Sequence, residues 1–175
     1  MNRTLLPLLI AVIFASVSHA QPKKKPTAPP KYDASVPPPT EAGVRYGEHP
    51  RHVLDFWQAK SDKPTPVAFV IHGGGWMGGS KERLPRFADP NALLEAGISV
   101  VAINYRYVSQ AVEEGIKPPV KAPLHDAARA LQFVRSNAER WKLDKERIGA
   151  AGGSAGACSS LWLMKSPTTS RSIIR

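Results

Sequence analysis

Ser154 is the residue in this 175-residue sequence whose surroundings are best suited to chemistry. It stands in Gly152-Gly153-Ser154-Ala155-Gly156, a G-x-S-x-G pattern between an apolar segment, Arg147 to Ala151, and a run of small residues. A serine hydroxyl is a weak nucleophile until it is held exposed and next to a base. G-x-S-x-G achieves the exposure with a strained turn from strand to helix. Glycine is needed at 152 and 156 because a Cβ at either place would collide with neighbouring backbone in so tight a bend. The turn also sets Ser154 at a helix N-terminus, where free N–H groups favour negative charge.

A second turn, His72-Gly73-Gly74-Gly75-Trp76, follows the apolar run Val67 to Ile71. Ester hydrolysis builds an oxyanion, and losing one donor to it costs on the order of 10²–10³ in rate. The N–H groups of Gly74, Gly75 and Ala155 are the natural donors, because glycine lets the backbone approach a substrate closely. Composition alone gives about 0.07 chance matches to G-x-S-x-G per sequence, but only about 5 × 10⁻⁵ to His-Gly-Gly-Gly-Trp. The pair, each after a buried strand, is therefore specific where the first pattern alone is not.

Rival readings of these glycines fail on context. Gly73, Gly75 and Gly78 satisfy the dinucleotide pattern G-x-G-x-x-G. The segment that follows is broken by Pro85 and Pro90, and the next strand ends in Asn104-Tyr105-Arg106, with no acid for a ribose hydroxyl. Gly79-Ser80-Lys81 has the reverse of a phosphate loop's Lys-then-Ser order.

The elements that must position both turns are legible from hydrophobic periods. Val44 to Tyr46 and His52 to Trp57 read as short strands. Val67 to Ile71 and Ile98 to Ile103 read as strands buried on both faces, and Arg147 to Ala151 as another. Arg83 to Ala96 is helical but interrupted by prolines. Leu124, Ala127, Leu131, Val134, Ala138 and Trp141 form one apolar helical stripe, with Pro123 in its first turn. Gly156 to Met164 starts a further helix. Strands alternating with helices specify an α/β fold with a parallel sheet.

From about Val44 to Leu163 the chain resembles the N-terminal half of an α/β-hydrolase, closest to the esterase and lipase group with an HGGG motif. That group includes hormone-sensitive-lipase-like enzymes and carbohydrate-directed acetyl and feruloyl esterases. The resemblance places His72 to Trp76 after strand three, Asn104-Tyr105-Arg106 at the end of strand four and Gly152 to Gly156 after strand five. It implies Ser154 as nucleophile, Gly74, Gly75 and Ala155 as oxyanion donors, and His72 as a brace for its loop. It also implies a mostly parallel sheet whose C-terminal strands are missing here.

In this fold the chain order is serine, then Asp or Glu, then histidine. From Ala155 to Arg175 there is no Asp, Glu or His; the five histidines, 19, 49, 52, 72 and 125, all precede Ser154. His125-Asp126 is not a ready pair, since helix neighbours point apart. Asp126 is expected in the first turn of its helix, complementing the dipole. The tail, 165–175, lacks a helical period and has a breaker at Pro167, which suggests a premature stop or frameshift near residue 164. The expected function is a secreted serine carboxylic-ester hydrolase, with little activity as written. The alternative is a non-catalytic remnant or binding module of the same fold.

Composition bounds the remainder. The net charge of +10 raises nucleic acid as a partner, but the basic residues alternate with acids and form no stripe with interleaved aromatics. A small-molecule or carbohydrate ester is the expected substrate, and Trp76 at the oxyanion turn suits a sugar. One cysteine, Cys158, excludes an internal disulfide framework. No metal or organic cofactor is implied, as water is the second substrate.

Residues 1–20 read as a signal peptide: Arg3, an apolar stretch from Leu5 to Val17, then Ser18-His19-Ala20. Thirteen residues are too few to span a bilayer, so no stable membrane anchor is expected. Export with cleavage after Ala20 follows. Residues 21–40, with seven prolines and four lysines, are expected to be an extended linker before the hydrolase domain at 41–164.

Overall fold

The computed structural model describes residues 31–165. The signal peptide, residues 21–30 of the linker and the tail after Lys165 lie outside the described residues. Strands β1 (Glu41–Arg45), β2 (Val53–Trp57), β3 (Thr65–Ile71), β4 (Ser99–Ile103) and β5 (Leu143–Gly152) form a sheet in the order β1-β2-β4-β3-β5. β3 lies between β4 and β5 and runs parallel to both. β2 adds antiparallel to β4, and β1 antiparallel to β2. The sheet is thus mixed, with its parallel part where both glycine turns leave it.

Two of the three apolar runs behave as their composition dictates, whereas Arg147 to Ala151, expected to be buried like them, is exposed or only part-buried throughout. Every residue of β4 is buried, and Phe69, Val70 and Ile71 at the end of β3 are 1% exposed or less. Such strands need cover on both faces. On one face α3 (Lys121–Ser136) packs Ala127, Ala130, Leu131 and Val134 against Phe56, Phe69 and Val101. On the other, Leu84, Leu93 and Leu94 close over Val70, Val100 and Trp57.

Pro85 and Pro90 divide the expected helical stretch in two. A 3₁₀ turn spans Lys81–Arg86, and α1 (Pro90–Glu95) starts afresh on its own proline. Asp89 caps it, Oδ1 accepting from the Asn91 N–H at 2.9 Å. α2 (Val108–Glu113) was not expected; six residues are too few to show a period. α4 (Ala155–Lys165) follows the serine turn as expected.

Three further expectations are corrected. The apolar stripe of α3 outruns the helix, which ends at Ser136. Ala138 and Trp141 lie beyond it and are buried because Trp141 stacks on Phe56 at 4.5 Å and donates its indole N–H to Glu41. β5 begins earlier than Arg147, at Leu143, with a break of register before Ile148. Residues 31–40, expected to be tether, are docked. Tyr32 packs edge-on against Trp57 and donates to Asp55 at 2.7 Å, Val36 is buried, and the Trp57 indole donates to Pro37 O at 2.8 Å. Proline content argued for extension, but a turn closed by Val36 N–H on Asp33 O at 3.0 Å interrupts the segment, and two aromatic side chains fix it to the sheet. Among the described residues no helix is long and apolar enough to cross a membrane.

Candidate active site

Both turns leave the C-terminal ends of adjacent parallel strands, β3 and β5, and meet there backbone to backbone. A Cβ on Gly73 would stand 2.6 Å from Gly153 O. A Cβ on Gly152 or Gly156 would stand 2.3 or 2.0 Å from Ile71 O. The glycines of the serine turn are thus required, and the collision they avoid is chiefly with the neighbouring strand. Phe87 lies over Gly153, filling the space a side chain there would take.

Ser154 has φ +53°, a left-handed conformation that side chains adopt only at a cost of about 1–3 kcal/mol. It is exposed, while Ala155 and Gly156 behind it are buried. The Ser154 carbonyl already accepts from Cys158 N at 3.0 Å, so the helix begins at the serine itself. Ala155 N–H, in the first turn, has no intrahelical acceptor. Neither it nor the N–H groups of Gly74 and Gly75 donate to any described residue. Gly74 and Gly75 are exposed, with φ +129° and +60°, and Trp76 follows at +56°. The strain is confined to these two turns and to Lys142 among non-glycine residues described.

Side chains lock the glycine turn from behind. The His72 ring is buried, stacks on Tyr105 with centroids 4.2 Å apart, and donates from Nδ1 to Gly73 O at 2.9 Å. Burial pushes its pKa down to about 4, with Arg51 and Arg83 adding to the effect against the Gly73 hydrogen bond. It is neutral at pH 7 and enclosed, which fits a brace. Tyr105 donates to His72 O at 2.8 Å, and Arg51 Nη2 and the Tyr107 hydroxyl both donate to Gly79 O. Trp76 Nε1 donates to Ser159 Oγ at 3.0 Å, and Ser159 donates to Ala155 O at 2.9 Å, tying the glycine turn to the serine helix.

Sequence reasoning missed Ser159, a serine among small residues with no distinguishing pattern. A partner for the Trp76 indole N–H was its only available signal.

Asp126 is the second miss and a correction. It is the sixth residue of α3, beyond the first turn, and is 1% exposed. Its carboxylate accepts from Arg106 N, Nε and Nη2 at 2.9, 2.9 and 2.6 Å, and lies 3.0 Å from His52 Nε2. Burial alone would raise its pKa; the His52 and Arg106 hydrogen bonds outweigh that and hold it at about 2. His125, its neighbour, points outward and stacks on Trp162 at 5.8 Å. Two histidine–carboxylate pairs do form among the described residues: His49 with Glu114 at 3.5 Å, and His52 with Asp126, which is sealed among Tyr46, His49 and Arg106.

A mixed sheet, parallel across β4, β3 and β5, with a glycine turn after one parallel strand, a serine turn after its neighbour and helices on both faces is the arrangement of an α/β-hydrolase. The BD-FAE family model matches residues 54–170, and the chain belongs to that family. It is 32% identical over 117 residues to Esterase LipC of Mycobacterium tuberculosis, covering 65% of this chain and 27% of that protein. It is 37% identical over 112 residues to Gut esterase 1 of Caenorhabditis briggsae, covering 62% and 20%. Among solved structures, a truncated form of a carbohydrate esterase from gut microbiota superposes with a TM-score of 0.61 at 27% identity, over 75% of this chain and 45% of that one. The chain therefore spans about a quarter of the length of these two curated relatives.

Proposed function

We propose that these residues form the nucleophile and oxyanion half of a carboxylic-ester hydrolase. Ser154 is the nucleophile; the N–H groups of Gly74, Gly75 and Ala155 receive the oxyanion; His72, Gly73, Trp76, Gly152, Gly153 and Gly156 shape and brace the two turns. One observation supports this above the rest. An exposed serine at φ +53° heads a helix and packs backbone to backbone against a turn whose N–H groups are unoccupied. The esterase names of the relatives and the carbohydrate esterase among the structural neighbours point to an ester substrate, and to one on a sugar.

The triad's base is not supplied by the 175 residues themselves. His72 and His52 are buried, His49 lies 3.5 Å from Glu114, His125 stacks on Trp162, and no histidine or acid follows Ser154. The chain as it stands is then a weak hydrolase. The share of the relatives' length that it spans agrees with this. Export is part of the same proposal: N-terminal sequencing of secreted protein should begin at Gln21.

Prolonged incubation with an alkyl fluorophosphonate, followed by peptide mass spectrometry, tests the nucleophile. A slow adduct is expected on Ser154, because the missing base activates serine toward this reagent as toward esters. Ser154→Ala should abolish it. An adduct on Ser159 or Ser160 instead would overturn the assignment.

A further inference from the structure

A cavity of about 890 Å³ lies beside the glycine turn, between residues 31–35, the 3₁₀ turn at Lys81–Arg86 and the start of β2. Its wall is continuous with the back of the candidate oxyanion site. Gly79 and Tyr107 line it, and Arg83 Nη1 stands 3.5 Å from where a Cβ of Gly74 would be. Four cations face it: Lys31, Arg51, Arg83 and Arg86. Two carboxylates also line it, so four cations face two anions, and Glu82 Oε2 has no hydrogen-bond partner among the described residues. Asp33 accepts from Ser35 N and Oγ at 3.0 and 2.8 Å, and Glu82 from Lys81 Nζ at 2.7 Å.

No carboxylate among the described residues forms an ion pair with Arg51, Arg83 or Arg86. Arg51 is the telling case. It is half-buried, its Nε and Nη2 donate only to the neutral carbonyls of Tyr105 and Gly79, and its guanidinium lies 3.8 Å over the Tyr107 ring. Burial pushes its pKa below the usual range. A recessed cation held by neutral partners is stabilised by an anion that enters the recess, and guanidinium matches a carboxylate's geometry.

We propose that this cavity recognises the carboxylate of an acidic sugar whose ester is presented to Ser154. The inference rests on the esterase reading for its second half. The recess is far larger than a bare anion needs and lies within the range of small-molecule sites, so the carboxylate arrives on a larger body. Gly79 and Arg83 belong to the lining and also stand against Gly73 and Gly74, which puts that body beside the glycine turn.

The full chain, titrated with galacturonate, galactose, acetate and inorganic phosphate and followed by isothermal calorimetry, separates the possibilities. Galacturonate should bind about tenfold or more tighter than galactose, and tighter than acetate or phosphate. Arg83→Gln with Arg86→Gln should bring it to the galactose level. Both arginines are exposed, so the melting temperature should not move. Equal binding of the two sugars, no saturable binding, or affinity surviving the double substitution overturns the proposal. Acetate or phosphate binding as tightly as galacturonate overturns it too, leaving a bare anion site. Binding must persist in Ser154→Ala, so failure of the hydrolase reading would leave this result intact.

Discussion

Two polar clusters sit at the C-terminal ends of the strands, and they are built on opposite principles. Around Asp126 every charge is engaged: Arg106 gives three hydrogen bonds, His52 closes the fourth side, and Tyr46 and His49 cover the histidine. Around Ser154 the groups are left open: an exposed hydroxyl, three N–H groups with no described acceptor, and strained backbone. A histidine beside an aspartate looks more like catalytic machinery than a row of glycines does. The first is a closed, buried pair; the second, on the proposal made above, would receive a charge that forms only during reaction.

If Asp126 is structural, removing it should give the largest loss. Asp126→Ala strips three hydrogen bonds from Arg106, which keeps only Glu114, and removes the carboxylate beside the buried His52; it should cost about 3–5 kcal/mol by urea unfolding. A loss under 1 kcal/mol would move this cluster out of the structural class. Gly156→Ala tests the other side through packing: its Cβ would enter the Ile71 carbonyl, so β3 and α4 must part. About 3 kcal/mol or more is expected.

Acid should separate the clusters by pH window. His72 has a folded pKa of about 4 against an ordinary 6.5. The unfolded chain therefore takes up the proton first, and stability present above pH 6.5 falls as pH drops toward 4, by about 3 kcal/mol at most. Asp126, held at about 2 against an ordinary 3.8, loses its contribution only below that, between pH 3.8 and 2. Unfolding free energies across this range should show the first slope, and His72→Gln should flatten it without touching the second. Gly75→Ala should cost only about 1 kcal/mol, since its φ is +60° but no atom lies within 4 Å of the new Cβ.

These differences also explain what could be read in advance. The buried strands β3 and β4 were legible because continuous apolar runs need two covered faces. Both turns were legible because His-Gly-Gly-Gly-Trp is rare by composition and stands, like G-x-S-x-G, directly after a strand. The Asp126 cluster was hidden because His52, Arg106 and Asp126 come from three separate elements, and only the fold brings them together. Asp126 by itself looks like any early helix acid. The docking of residues 31–40 was hidden for another reason: proline content reports extension, and extension does not distinguish a tether from a strap held by Tyr32 and the Trp57 indole.

The central claim is that Ser154 stands in a formed oxyanion site with no base in this chain. Hydrolysis of p-nitrophenyl acetate by the full chain and by Ser154→Ala tests it most directly. Loss of a triad's histidine costs about 10⁶ in turnover, leaving about 10³–10⁴ over water from binding and the oxyanion site. The account predicts turnover at that residual level, changed no more than a few-fold by Ser154→Ala. Turnover at the rate of an intact triad, vanishing in Ser154→Ala, would contradict it and place a working base among His49, His52, His72 and His125.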